Sequence, residues 1–258
     1  IQPRTLATLR HKPLKLAHTD SVNCAVYSPD GTTIVTASDD DTARLWDATT
    51  GNLVATLTGH TGPVYHAAFS TDGAMIVTAS FDTTARVWDA VTGELVAVLV
   101  GHTGGVYHAA FSPDGATIVT ASWDDTARVW DATTGRLLKV LTGHTGAVYY
   151  ASFSPDGATI ATASFDATAR IWNATTGGLI AVLKGHTGRV YHVAFSPDGA
   201  TLVTTSDDAT ARLWDSVPPA VVGASTTAGE EAPGAVTGKQ VDILEGHTGR
   251  VYYAAYSS

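Results

Sequence analysis

Apolar and polar residues alternate along this chain in short runs, and no stretch carries helical spacing. From Val64 the run VYHAAFS predicts a strand, Ile76 to Ser80 a second, Thr84 to Asp89 a third and Glu94 to Val100 a fourth. The breaks between runs have turn chemistry: Ser112-Pro113-Asp114-Gly115, Ser154-Pro155-Asp156-Gly157 and Ser196-Pro197-Asp198-Gly199 place Ser, Pro and Gly as a type I turn requires, with Thr71 in place of Pro in one copy. The pattern repeats. His60, His102, His144 and His186 each follow Gly, His18 follows Ala17, and Trp46, Trp88, Trp130, Trp172 and Trp214 keep the same beat, so that each step, as from 60 to 102, is 42 residues. A four-stranded unit of about this length is what one propeller blade requires.

Gly-His, then Ser-Pro-Asp-Gly, then Trp-Asp at this spacing resembles the WD-repeat β-propeller family over essentially the whole chain. The departures are Ala17 before His18, Asn173 after Trp172 and a late Glu245-Gly246-His247. The resemblance implies an all-β propeller of four-stranded antiparallel blades in a single domain. Blades are expected at about 18–59, 60–101, 102–143, 144–185 and 186–246, with a loop insertion at 216–238. Residues 1–17 are expected to give a closing fourth strand, Leu6 to Leu9 echoing Leu53 to Leu57, and 247–258 the first strand of a further blade. Five complete blades plus the edge strands of an incomplete one suggest a piece of a longer protein or half of an assembly, so a homo-oligomer or blade swapping is expected.

Hydrophobic residues make up 44% and charged residues 15%, which suits a globular core. The net charge of −9 argues against nucleic acid as a partner. One cysteine, Cys24, excludes an internal disulfide framework, and no signal-peptide pattern or membrane-spanning run occurs, so a cytoplasmic protein without membrane contact is expected.

Each unit carries His, a hydroxyl, Asp and Trp, and five copies of one set cannot each be a uniquely activated catalytic triad. No catalytic residue, cofactor or metal is therefore expected. The resemblance implies instead a buried relay from Trp through the hydroxyl and His to Asp. Its members are His60, Thr78, Asp82 and Trp88; His102, Thr120, Asp124 and Trp130; and His144, Thr162, Asp166 and Trp172. His18, Thr36, Asp40 and Trp46, and His186, Thr204, Asp208 and Trp214, match them. Ser80 and its counterparts face the same way as Thr78 by strand alternation, so the hydroxyl remains open between them. His66, His108 and His192 share one position with Tyr150, Tyr253 and Cys24, which reads as a packing site with a polar tip rather than a metal ring; His11 stands apart. Asn173-Ala174-Thr175 matches a glycosylation acceptor but stands where Asp recurs, and reads as drift.

What varies on the fixed framework is more informative. Tyr65, Tyr107, Tyr149, Tyr191 and Tyr252 share one position, Phe81, Trp123 and Phe165 share another with Asp39 and Asp207, and Arg189 and Arg250 a third with Ser21, Pro63, Gly105 and Ala147. All three positions border the connections that open on one face of a propeller. We expect these tyrosines, Phe81, Trp123, Phe165, Arg189 and Arg250 to form an aromatic surface with two arginines on one arc. It would bind a protein or peptide partner or, alternatively, a small ligand or glycan.

Overall fold

The computed structural model describes residues 17–216 and 236–257. The expected closing strand at 1–17, the segment 217–235 of the insertion, and His11 lie outside them, apart from Ala17. The described residues form five sheets, each built on four antiparallel strands, and no helix occurs among them. In the second sheet the strands are Val64–Phe69, Met75–Ser80, Ala85–Asp89 and Leu95–Leu99, joined in simple meander order. Ladders such as Ile76 opposite Trp88 and Val87 opposite Ala97 fix the register.

The local chemistry explains the turns. In each Ser-Pro-Asp-Gly turn the Gly N–H returns to the Ser carbonyl, at 2.9 Å for Gly31 and Ser28, and the Gly takes a φ near +70°. The Ser hydroxyl donates to the turn Asp, as Ser112 does to Asp114. Thr71 in place of Pro leaves this intact, with Gly73 N–H bonded to Ser70 O at 2.9 Å.

The core lies between sheets, not within one. Val77, Val87 and Leu99 of the second sheet pack with Val106, Ala109, Ile118 and Trp130 of the third, and the same grouping recurs at the other three junctions. Each sheet thus buries its trailing face under the leading face of the next, so the sheets stand as consecutive blades of an incomplete propeller. The first sheet has no described neighbour in front of it. Val22 is accordingly 47% exposed where Val64, Val106, Val148 and Val190 are fully buried.

The end of the chain differs from expectation. No strand forms over 251–257. Val251 N–H donates to Ser206 O at 3.0 Å, Tyr253 stacks on His192, and the Tyr256 hydroxyl stands 2.9 Å from Thr201 Oγ1, so the segment lies against the fifth sheet. A first strand needs a second strand beside it, and no described residues supply one. The insertion also departs from a plain loop: Val236–Thr237 adds a short parallel strand to the outer edge of the fourth sheet, and Gly238 N–H donates to Val182 O at 3.0 Å. The fifth sheet then receives its fourth strand, Gln240–Leu244.

Candidate functional site

The four side chains that the resemblance joins are in hydrogen-bond contact in every sheet. Trp88 Nε1 donates to Thr78 Oγ1 at 2.9 Å, Thr78 Oγ1 is 2.8 Å from His60 Nε2, and His60 Nδ1 is 2.8 Å from Asp82 Oδ2. The counterparts keep these distances, for example 2.8, 2.7 and 2.8 Å for Trp130, Thr120, His102 and Asp124. A carboxylate only accepts, so His Nδ1 carries a proton and donates to the Asp, while Nε2 stands within hydrogen-bond reach of the threonine hydroxyl. Ser80 is not in the chain: its hydroxyl donates to Gly62 O at 2.8 Å and accepts from Asp82 N–H.

Burial alone would raise the Asp82 carboxyl, but bonds from His60, Thr84 and the Thr61 N–H outweigh it and hold the group well below the usual carboxylate range. The other four relay aspartates behave alike. For His102, His144 and His186 burial outweighs the aspartate and lowers the imidazole. The threonine that clamps each aspartate, such as Thr84 at 2.7 Å from Asp82, was not singled out from the sequence, although Thr-Ala-Arg recurs in every unit. The arginine of that triplet lies against the residue before His, Arg44 Nη1 donating to Ala17 O at 2.6 Å, and the Gly at this position takes a positive φ, 138° at Gly59 and 144° at Gly143. The relay side chains Thr78 and Trp88 are fully buried, and His60 is 6% exposed.

Above it lies the variable face. In each sheet the ladder between the first two strands skips one residue, Val64 pairing with Ser80 and His66 with Ala79, so that Tyr65 is bulged out. The same bulge frees Asn23, Tyr107, Tyr149 and Tyr191. A bulge re-aims a side chain and leaves its neighbours in register. The tyrosine rings therefore meet across sheets, with centroids 5.4 Å apart for Tyr65 and Tyr107, 4.8 Å for Tyr107 and Tyr149, 5.5 Å for Tyr149 and Tyr191 and 5.0 Å for Tyr191 and Tyr252.

The turn between the second and third strands brings in the other rings. Its shape is set by Asp82 N–H on Ser80 Oγ and by Thr83 in the left-handed region at φ 71°, a conformation that Asp41, Asp125, Ala167 and Ala209 share. Phe81 and Trp123, 47% and 53% exposed, lie 6.4 Å apart and flank Tyr65 and Tyr107. Phe165 stacks on Tyr149 at 5.6 Å, and Arg189 Cζ sits 4.7 Å above the Phe165 ring. Arg250 Nε pairs with Asp207 at 2.9 Å.

One expected contact residue is not available: Tyr191 is only 6% exposed, held by Phe165 and Tyr252 on either side, with its hydroxyl donating to Asp207 at 3.2 Å. Tyr65, Tyr107 and Tyr149 are half-buried. Burial, then the neighbouring Tyr65 and Tyr149, push the Tyr107 phenol up to about 12, and the hydroxyl stays protonated at physiological pH.

One layer below, Cys24, His66, His108, Tyr150, His192 and Tyr253 form a second row, with centroids from 3.8 to 4.3 Å apart along its rings. The row bonds to the backbone of the next sheet, His66 at Ala109 and His108 at Ala151, with Cys24 Sγ 3.6 Å from Ala67 O. No group of three or more His, Cys, Asp or Glu among the described residues is arranged to hold a metal ion. Asn173 is buried, and its side-chain oxygen accepts from Thr175 and Thr176 N–H as Asp131 does from Thr133 and Thr134. At the opposite end of the strands, a cavity of about 580 Å³ between the third and fourth sheets is lined by Arg136, Lys139, Phe153 and Asp156 among others, and holds no member of either aromatic row.

Comparison with known proteins matches a family model described as "WD domain, G-beta repeat" to residues 10–47, 51–89, 93–131, 135–173 and 177–215. The chain is also similar to "Periodic tryptophan protein 2" of Saccharomyces cerevisiae (strain ATCC 204508 / S288c), 51% identical over 39 residues. That match takes in 15% of this chain and spans 4% of the length of the relative. No described helix is long and apolar enough to cross a membrane.

Proposed function

The chain belongs to the WD-repeat family, and on that premise we propose that it is a non-enzymatic recognition module that holds a protein or peptide segment on its aromatic face. The family is in general one of protein-interaction scaffolds. The observation that carries the finer reading is the exposure of Phe81 and Trp123 at a turn position that Asp39 and Asp207 occupy in other units. Large exposed rings clustered on one face are a feature of interaction sites. The relay supports the reading by giving that face a rigid base. A glycan, stacking on one or two adjacent rings, is the second reading, and Phe81 beside Trp123 is the pair that favours it.

The test is a paired capture from cell lysate, with this chain and with a variant carrying Tyr65→Ala, Phe81→Ala, Tyr107→Ala and Trp123→Ala that keeps its β circular dichroism. A partner retained by the parent and lost by the variant supports the proposal. Retention by both moves the site to the opposite end of the strands or to the insertion.

A further inference from the structure

The next step rests on that reading of the face and concerns the chemistry of what it binds. At the junctions between sheets, the residue three places after the repeated His meets the residue just before the repeated Asp of the preceding sheet. Arg189 lies over Phe165, Arg250 pairs with Asp207, and a Cβ built at Gly105 would stand 3.0 Å from Phe81 Cδ2. The repeat places Ala147 with Trp123 and Pro63 with Asp39 in the same way.

Along the arc the pairs therefore run Pro63 with Asp39, Gly105 with Phe81, Ala147 with Trp123, Arg189 with Phe165 and Arg250 with Asp207. The last two junctions hold a guanidinium supplied by the chain itself. Of the first three, Asp39 accepts from the Asn23 side chain at 2.7 Å and is half-buried like Asp207, whereas Phe81 and Trp123 face Gly105 and Ala147, side chains too short to cover a ring. Among the rings, exposure follows this division. Phe81 and Trp123 stand open at 47% and 53%, whereas Phe165 under its arginine is half-buried.

Arg189 on Phe165 is thus an internal example of the ligand that the two uncovered rings lack. Ring faces attract cations, and a planar guanidinium stacks on them better than an ammonium does. The net charge of −9 adds a long-range pull in the same direction. Spacing narrows the ligand further. The Phe81 and Trp123 centroids are 6.4 Å apart, and side chains two residues apart on one side of an extended peptide are separated by about 6.6 Å.

We propose that this face recognises an extended, arginine-bearing peptide, with two guanidinium groups at alternate residues seated on Phe81 and Trp123 as Arg189 is seated on Phe165.

The experiment is a calorimetric titration with the blocked peptide Gly-Ala-Arg-Ala-Arg-Ala-Gly and its counterpart in which both arginines are citrulline, which keeps the shape and removes the charge. We expect the arginine peptide to bind and the citrulline peptide to bind at least about tenfold more weakly. Phe81→Ala and Trp123→Ala should each weaken the arginine peptide by about tenfold. Ala147→Arg, which supplies a guanidinium over Trp123 from within the chain, should do the same. Because Ala147 is buried, the two exposed-ring variants stand as the independent test if that chain fails to fold. Val91→Arg, on an exposed turn at the other end of the strands, should leave binding unchanged.

Equal binding of the two peptides, indifference to both ring variants, or no binding of the arginine peptide at millimolar concentration each overturns the inference. The paired capture keeps the two readings apart: a partner lost with the aromatic residues but insensitive to arginine chemistry leaves the face as the site and removes only the cation.

Discussion

Thr120 Oγ1 is the one atom that touches both the indole and the imidazole of its sheet, at 2.8 Å from Trp130 Nε1 and 2.7 Å from His102 Nε2. Thr120→Val keeps the shape and strands both nitrogens in a fully buried site. Each lost partner costs about 1 to 3 kcal/mol, so we expect a loss of about 2 to 6 kcal/mol, read as a lower urea midpoint with unchanged slope, and recovery of most of it in Thr120→Ser. A shift under about 0.5 kcal/mol would show that the relay contributes little. The sequence left Thr120 and Ser122 open as the hydroxyl, because alternation turns both to the same side. The choice is made by height along the strand: Trp130 pairs with Ile118, two residues from Thr120, so its indole reaches the threonine, while Ser122 lies beyond at Gly104 O. Tyr191 was misjudged for a related reason. Its position repeats, but the company of Phe165, Tyr252 and Asp207 that closes over it comes from three different units.

At the scale of strands, the second row joins the first strands of the second to fifth sheets through the ring contacts of His66, His108, Tyr150 and His192, and it sets a pH limit on the fold. Burial pushes His66 and His192 down to about 4, and His108 well below its ordinary value with help from His66 and His192. An unfolded histidine takes its proton near pH 6.5. Between about pH 6.5 and 4 the unfolded chain therefore binds protons that the folded chain refuses, and stability falls as pH falls, by up to about 3 kcal/mol for each such histidine. Above pH 6.5 this contribution is constant. The relay aspartates, held low, add a second loss only below the ordinary carboxylate range. Urea midpoints at pH 7.5, 6 and 5 should decline, and His108→Tyr, the residue that Tyr150 already places in this row, should flatten the decline. Identical slopes in both proteins would contradict this assignment. The four-stranded ladders were legible from period and turn chemistry because each strand pairs with its neighbour in sequence. The parallel pair at Val236–Thr237 was not, since two residues carry no period and their partner, the edge of the fourth sheet, lies more than 50 positions earlier. The unformed strand over 251–257 has the same origin: its pattern matches the other first strands, but pairing depends on what stands beside it.

Across the described residues, four repeated core junctions join the five sheets, and the differences among near-identical units collect on one face. The positions of Phe81, Trp123, Phe165 and the tyrosines could be read from the repeat as places where identity changes while the frame does not. The bulge that turns the tyrosines outward could not, because it depends on the register of the second strand. Nor could the pairing of Arg189 with Phe165 and Arg250 with Asp207, which exists only between sheets. Among the described residues nothing packs on the front of the first sheet, which leaves Val22 exposed where its counterparts in the other sheets are buried. On the proposed reading, partners are held on the aromatic face, and the most direct measurement of this is site-specific photo-crosslinking in cell lysate, with a benzoylphenylalanine at Phe81 or Trp123 on that face and, in parallel chains, at Val91 on the far turn or Val100 near the outer rim. A discrete adduct is expected from Phe81 and Trp123 and none from Val91 or Val100. Adducts confined to Val91 or Val100 would contradict it.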